Sequence, residues 1–238
     1  MSAVWRPGAA MIFAAGFGRR MGALTRDCPK PLLKIAGRSL LDRVLDLLVD
    51  QKIPRAVINL HYRGAMIRRH LADRRDLRVE FSEEAPEILE TGGGLRAALP
   101  LIGPGPLLTL NADALWIDTD PVATLLASWR EEMEALLHLI PTGDAIAHPG
   151  SGDFFCNERG ALSRRGDAKR APFVYTGAQI IVPDRLVAQP PGAFSLNPVW
   201  DAMRADGGLY GVVGAGRWVD VGTPAGLAQA RVLAEAGP

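Results

Sequence analysis

Rhythm is what most limits the folds open to this chain. Through its first 140 residues, apolar runs of strand length alternate with segments of helical period. Ala9 to Ala15 is one such run. Ser39 then reads as a helix cap, with Leu40, Leu41, Val44, Leu45 and Leu48 at helical spacing behind it. Pro54 breaks that helix, and Ala56 to Leu60 reads as the next strand. A short polar helix near Met66 to Leu71, a strand from Leu77 to Phe81, a brief helix from Gly94 to Leu99 and a strand from Leu107 to Asn111 follow. Pro121 to Met133 reads as a helix with proline in its first turn, and Ala135 to Ile140 as a strand. This β-α-β-α order predicts an α/β fold, with a mostly parallel sheet carrying helices on both faces.

The second half is less regular. Gly143 to Arg170 is rich in Gly, Asp and Arg, with a hairpin expected around Asn157 to Gly160. Phe173 to Val182 and Leu209 to Val213 read as strands, and Pro198 to Arg204 and Pro224 to Glu235 as helices. A domain boundary is not obvious, the nearest candidate being Pro141 to Gly152. One domain over residues 1–238 is expected, with a nucleotide-handling part to about 140 and a second part beyond it. A chain of 238 residues buries roughly 72% of its extended surface, enough for one large core without staples. Its two cysteines, Cys28 and Cys156, lie in no metal-binding spacing and read as free thiols of a reducing, cytoplasmic setting. Net charge is +1, so no basic field points to nucleic acid. The longest uncharged run, Ala97 to Ala112, is interrupted by Pro100, Pro104 and Pro106, which speaks against a membrane span. The apolar run after Arg6 is too short for a signal peptide.

Five features carry chemistry. Ala14-Ala15-Gly16-Phe17-Gly18-Arg19-Arg20-Met21 follows the first strand. Its glycines let backbone N–H groups approach an anion, and Arg20 adds bidentate charge. It lacks the Gly-Lys-Ser/Thr of a Walker loop and the third glycine of the dinucleotide fingerprint. Lys30, between Pro29 and Pro31, is expected on extended backbone, where it would place a point charge on a phosphoryl group. Asn111 and Asp113 end a strand, where ligands of open α/β sheets bind. Asp220 lies in Trp218-Val219-Asp220-Val221-Gly222-Thr223-Pro224, with Thr223 placed to cap the last helix. Three glycines, Gly92 to Gly94, follow Glu90-Thr91 and would let backbone press against a flat base. The four histidines, His61, His70, His138 and His148, have neither metal spacing nor a nucleophile beside them.

Together, Ala-Ala-Gly-x-Gly-x-Arg-Met, Leu24-Thr25 and Pro29-Lys30-Pro31-Leu32 resemble the signature of sugar-phosphate nucleotidyltransferases, which join an NTP to a sugar 1-phosphate and release pyrophosphate. The resemblance runs from Ala9 to about Glu235 and implies the Rossmann-like nucleotide-diphospho-sugar transferase fold. It implies catalytic roles for Arg20, Lys30 and Asp113, and Mg²⁺ held by Asp113 and Asp220. Nucleotide binding would fall to Ala14, Ala15, Gly16, Gly18, Arg20, Lys30, Thr91, Gly92, Gly93 and Asn111, and sugar binding to Lys169, Thr176 and Gly177. Ala112 stands where the family often has glycine. The spelling Leu89 to Gly94 is similar to that of bacterial N-acetylmuramate-1-phosphate uridylyltransferases, which implies UTP and N-acetylmuramic acid 1-phosphate as the substrate pair. The alternatives are a mannose-1-phosphate guanylyltransferase or another hexose-1-phosphate enzyme. A non-catalytic nucleotide-sugar sensor is the reading from a different class. A monomer or small homo-oligomer is expected, with no nucleic-acid or membrane partner.

Overall fold

The computed structural model describes residues 5–235. At its centre is β1 (Ala10–Phe13), whose first three residues are buried, as in a strand covered on both faces. The glycine-rich loop and two 3-10 turns (Arg19–Thr25 and Lys30–Leu32) lead to a short hairpin, β2 (Lys34–Ile35) and β3 (Arg38–Ser39), and then to α1 (Leu40–Asp50). Ser39 caps α1, its Oγ accepting the Asp42 N–H at 3.0 Å. The five expected apolar side chains form the buried face of α1, and burying each stabilises by about 1.5–3 kcal/mol. Next come β4 (Arg55–Leu60), α2 (Gly64–Leu71), β5 (Arg78–Glu83), α3 (Glu90–Ile102) and β6 (Leu107–Asn111). Strands β6, β1, β4 and β5 lie side by side in that order, all parallel.

The chain continues through β7 (Ala114–Ile117), α4 (Pro121–Ser128), β8 (Ala135–Pro141), β9 (Ala145–Ile146), β10 (Phe154–Cys156) and β11 (Leu162–Arg164). It ends with β12 (Phe173–Ile181), α5 (Asp184–Val187), α6 (Asn197–Ala205), β13 (Leu209–Val213), β14 (Arg217–Asp220) and α7 (Pro224–Glu235). Strand β12 runs antiparallel to β6, β8 and β10. Only it and β11 oppose the common direction of the nine-stranded sheet, so the sheet is mostly parallel by direction. β8 follows one edge of β12, while β6 and then β10 occupy the other. Between Tyr175 and Gln179 the register against β8 shifts, and Gly177 in that bulge has φ 85°. One face of the sheet packs on side chains of α1, α2 and α4, and the other on those of α3, α5 and α6.

Several boundaries differ from the sequence expectation. α3 begins at Glu90, so the triple glycine lies inside the helix rather than before it. The packing of those glycines, described below, overrides their weak helix propensity. α4 stops at Ser128 because Trp129 turns to extended backbone and its ring meets Trp5 at 5.9 Å. Lys30 is not extended: only Pro29 is, and Lys30-Pro31-Leu32 close a 3-10 turn in which proline sits where no N–H is needed. The small sheet β7-β14-β9 was not legible from the sequence.

Candidate functional site

A cavity of about 590 Å³ opens beyond the carboxyl ends of β1, β4 and β6, where ligands of such sheets bind. Ala14, Ala15, Gly16, Gly18, Arg20, Lys30, Thr91, Asn111 and Asp113 all line it, as the sequence led us to expect. Gly18 has φ 65°, and a Cβ there would meet Thr25 Cγ2 at 3.0 Å and Lys30 Cβ at 3.3 Å. Only glycine therefore lets the loop close onto the Lys30 turn. The Thr25 hydroxyl donates to Gly18 O at 3.0 Å and fixes the closure. Outside the loop, Phe17 packs edge-on against His61 and lies 5.7 Å from Tyr62, whose hydroxyl donates to Thr25 O at 2.9 Å.

Lys30 is almost fully buried, and its Nζ donates to Asp113 Oδ2 at 2.8 Å. Asp220 does not itself line the cavity: β14 pairs with β7 so that Asp220 faces Ala114, the neighbour of Asp113, and its carboxylate lies beside Gly222, which does line it. Asp220 Oδ1 accepts the Gly222 N–H at 2.8 Å. A Cβ on Gly222 would lie 2.7 Å from both Asp220 Oδ1 and Arg20 Nη2, so glycine there leaves room for the guanidinium beside the carboxylate. Each aspartate thus keeps one carboxylate oxygen without a hydrogen-bond partner among the described residues. Two carboxylates with free oxygens beside a polyphosphate-sized cavity suit Mg²⁺, which takes few protein ligands and completes its shell with water and phosphate. Among the described residues no group of three or more His, Cys, Asp or Glu competes as a metal site.

Two buried polar residues of the cavity escaped the sequence reading. Asn59 and Glu84 are 3% and 2% exposed. Asn59 Oδ1 accepts the Ala14 N–H at 2.7 Å, and its Nδ2 donates to Glu84 Oε1 at 2.6 Å. Glu84 Oε2 accepts the Leu89 N–H at 2.7 Å, just before α3. No cation pairs with Glu84 among the described residues. Its charge is held by hydrogen-bond donors and the amino end of a helix, the usual compensation for a buried carboxylate. The signal available in the sequence was a single Asn near the end of an otherwise apolar strand.

Other expected residues sit differently. Ala14 lines the cavity, but its N–H is engaged by Asn59. Gly92 and Gly93 do not line the cavity; their N–H groups donate to Phe194 O at 2.8 and 3.0 Å. A Cβ on either would strike Phe194 or Gly192, so these glycines serve docking of the 192–196 segment. The Thr91 hydroxyl accepts the Leu196 N–H at 3.0 Å in the same seam. Gly177 lies against the Asn111 side chain, 2.7 Å from a would-be Cβ. Thr176 turns away from the cavity into the core, where its hydroxyl donates to His138 O and meets His138 Nδ1 at 2.9 Å. Lys169 is exposed and lines none of the cavities described here. His138 is fully buried, and desolvation lowers its pKa to about 4. Cys28 and Cys156 are free thiols, each raised by burial. No helix among the described residues is long and apolar enough to cross a membrane.

Comparison with known proteins agrees with this geometry. The chain is 38% identical over 237 residues to the N-acetylmuramate alpha-1-phosphate uridylyltransferase of Caulobacter vibrioides, covering 97% of this chain and 96% of that one. It is 32% identical over 231 residues to the enzyme of the same name from Neisseria meningitidis serogroup B, covering 95% and 98%. The crystal structure of HddC from Yersinia pseudotuberculosis, complexed with GMP-PN, superposes with a TM-score of 0.75 at 20% identity, over 94% of this chain and 98% of that one. This shared fold is the nucleotide-diphospho-sugar transferase fold. Residues 10–171 match the MobA-like NTP transferase domain, which takes in the glycine-rich loop, Lys30, Asn59, Glu84 and Asp113. By both the domain match and the near full-length relatives, the chain belongs to the MobA-like NTP transferase family and is a sugar-1-phosphate nucleotidyltransferase.

Proposed function

We propose that the chain joins UTP to N-acetylmuramic acid 1-phosphate, releasing pyrophosphate and forming UDP-N-acetylmuramic acid. Supporting this pair are the two near full-length relatives that carry that name. Supporting the chemistry is one juxtaposition: Lys30 on Asp113 and Arg20 beside Gly222 line a glycine-rich cavity, with Asp220 behind Gly222.

In this reading an oxygen of the sugar phosphate attacks the α-phosphorus of the nucleotide. A new P–O bond forms as the bond to the β-phosphate oxygen breaks, and pyrophosphate carries the electron pair away. The attacking oxygen is already anionic, so no side chain has to remove a proton. Catalysis is then positioning and charge neutralisation. The glycine-rich loop admits the phosphates closely, and Arg20 and Lys30 supply positive charge from two sides. Lys30 leaves Asp113 for a phosphoryl oxygen as substrate arrives. Asp113 and Asp220 would hold a Mg²⁺ ion, which when bound neutralises charge on phosphate oxygens. Asn111, braced by Gly177, borders the side from which the sugar approaches. The nucleotide is handled by the part of the chain up to about residue 140 and the sugar by the part beyond it.

The test is pyrophosphate release with Mg²⁺ across UTP, GTP, dTTP and CTP, each with N-acetylmuramic acid, N-acetylglucosamine, glucose and mannose 1-phosphates. Release requiring UTP and N-acetylmuramic acid 1-phosphate is expected; another pair would overturn the substrates and keep the chemistry. Lys30→Ala should lower kcat by about 10²–10³, the range for losing one charge-stabilising contact. Full turnover in that variant would remove Lys30 from the mechanism.

A further inference from the structure

A second trough, of about 370 Å³, is lined by Asp153, Arg164, Arg165, Tyr175, Asn197 and Trp200. Topology places it next to the nucleotide cavity. β6 and β10 follow one another along one edge of β12: Ala178 pairs with Leu110, and farther along Phe173 pairs with Phe154. The β10-β11 hairpin therefore stands beyond the carboxyl end of β6, on the side where Asn111 and Asp113 lie. Tyr175, Trp200 and Phe154 pack in the same cluster as Phe13, which lines the cavity. Gly177 touches Asn111, and Tyr175, two residues before it, lines the trough.

Its walls have two characters. Trp200 and Tyr175 meet edge to face at 5.1 Å, and the indole is fixed by donating to Gln179 Oε1 at 2.9 Å. Trp200 is buried and the Arg164 guanidinium lies 5.5 Å over its ring, so the aromatic pair forms a rigid floor beneath the arginines. The polar side holds two arginines and one carboxylate, Asp153, whose Oδ2 accepts the Tyr175 N–H at 3.0 Å. The turn from Arg164 to Arg170 holds Arg164, Arg165, Lys169 and Arg170 against Asp167 alone. Arg164 is already committed: its Nε donates to Asp201 at 2.9 Å and it stacks on Phe154. Arg165 is not. Its Nε and Nη1 donate at 3.1 Å to the carbonyls of Gly152 and Ala168, which fix its plane without neutralising it. Among the described residues it has no carboxylate partner, and Nη2 makes no hydrogen bond. A half-buried guanidinium, oriented by neutral carbonyls and uncompensated, is set up for a carboxylate.

We propose that this trough receives a carboxylate carried on the sugar of the sugar 1-phosphate, and that Arg165 reads it. This rests on the reading above, since the lactyl ether of N-acetylmuramic acid bears such a carboxylate. Arg165 is a specificity-determining residue and takes no part in phosphoryl chemistry.

The test compares kcat/KM for N-acetylmuramic acid 1-phosphate and for its methyl ester, which keeps the shape and removes the charge. Wild type should prefer the acid. Arg165→Met should cut the acid-to-ester preference by about 10- to 100-fold, the value of one hydrogen bond to a charged group. Arg165→Lys should restore part of it. UTP affinity of each variant checks folding, and the ratio is blind to a loop that merely loosens. Equal use of acid and ester by wild type, or a ratio unmoved in Arg165→Met, would overturn the subsite and leave the uridylyltransferase reading standing. Turnover of neither compound with UTP would overturn that reading and the subsite with it.

Discussion

Gly94 offers a case in which two rules predict opposite signs. It lies inside α3, where replacing glycine by alanine usually stabilises by about 1 kcal/mol. Its would-be Cβ, however, lies 2.4 Å from Glu84 Oε1 and 3.1 Å from Asn59 Nδ2. The carboxylate has nowhere to go without loss, because Asn59 holds one oxygen at 2.6 Å and the Leu89 N–H holds the other at 2.7 Å. Breaking one such bond to a buried charge costs about 1.5–3 kcal/mol, and overpacking a core adds about 1–3 kcal/mol. After the propensity gain, Gly94→Ala should destabilise by about 1.5–5 kcal/mol. For a chain of this length each kcal/mol lowers Tm by about 2–4 °C. Because Asn59 also holds the Ala14 N–H, the KM for nucleotide should rise in the same variant. Guanidinium unfolding and steady-state kinetics read the two effects. A variant as stable as wild type, or more so, would show that Glu84 does not fill the space against α3.

Further outcomes follow from the same geometry. The pKa of buried His138 is lowered to about 4 in the folded state, against 6.5 for the free side chain. Below pH 6.5 the unfolded chain therefore gains a proton that the folded one does not, and stability falls until about pH 4. Its share of the loss between pH 7.5 and pH 5 is about 2 kcal/mol, and His138→Gln should flatten the unfolding free energy over that window by this amount. Asp220→Asn should raise the Mg²⁺ concentration for half-maximal turnover by about 10-fold or more and weaken Mn²⁺ binding measured by electron spin resonance; unchanged Mn²⁺ binding would remove Asp220 from the metal site.

Period and punctuation made much of the parallel core readable in the sequence. Apolar runs at β1, β4, β6 and β8, the Ser39 cap and the Thr223 cap, whose hydroxyl accepts the Gly226 N–H at 3.1 Å, all came from local chemistry. The glycine-rich loop and Lys30 were readable for the same reason: their residue types are needed locally. What stayed hidden depends on partners distant in the chain. Gly92 to Gly94 look like backbone that presses against a flat base until Phe194, Gly192 and Glu84 are seen against them. The family resemblance of Tyr175-Thr176-Gly177 assigns Thr176 to the sugar, yet a bulge turns it toward His138. The Asn59–Glu84 pair joins residues 25 apart through a contact that neither strand pattern announces. Strands of two to four residues, such as β7, β9 and β14, carry too little periodicity to be recognised.

The register that sets Asp220 opposite Ala114 closes a loop of more than 100 residues with one short strand pairing. Loop closure of that span brings an entropic penalty well before the pairing offsets it. β14 follows every other strand of the described residues, so during synthesis it leaves the ribosome after them. The glycine-rich loop, Lys30 and Asp113 can already be in place while Asp220 is still absent. Assembly thus has a built-in order, in which the part that grips phosphate precedes the part that completes the carboxylate pair. On the proposed mechanism turnover requires this late strand, and a nascent or nicked polypeptide lacking it would keep the glycine-rich loop, Lys30 and Asp113 without the second aspartate.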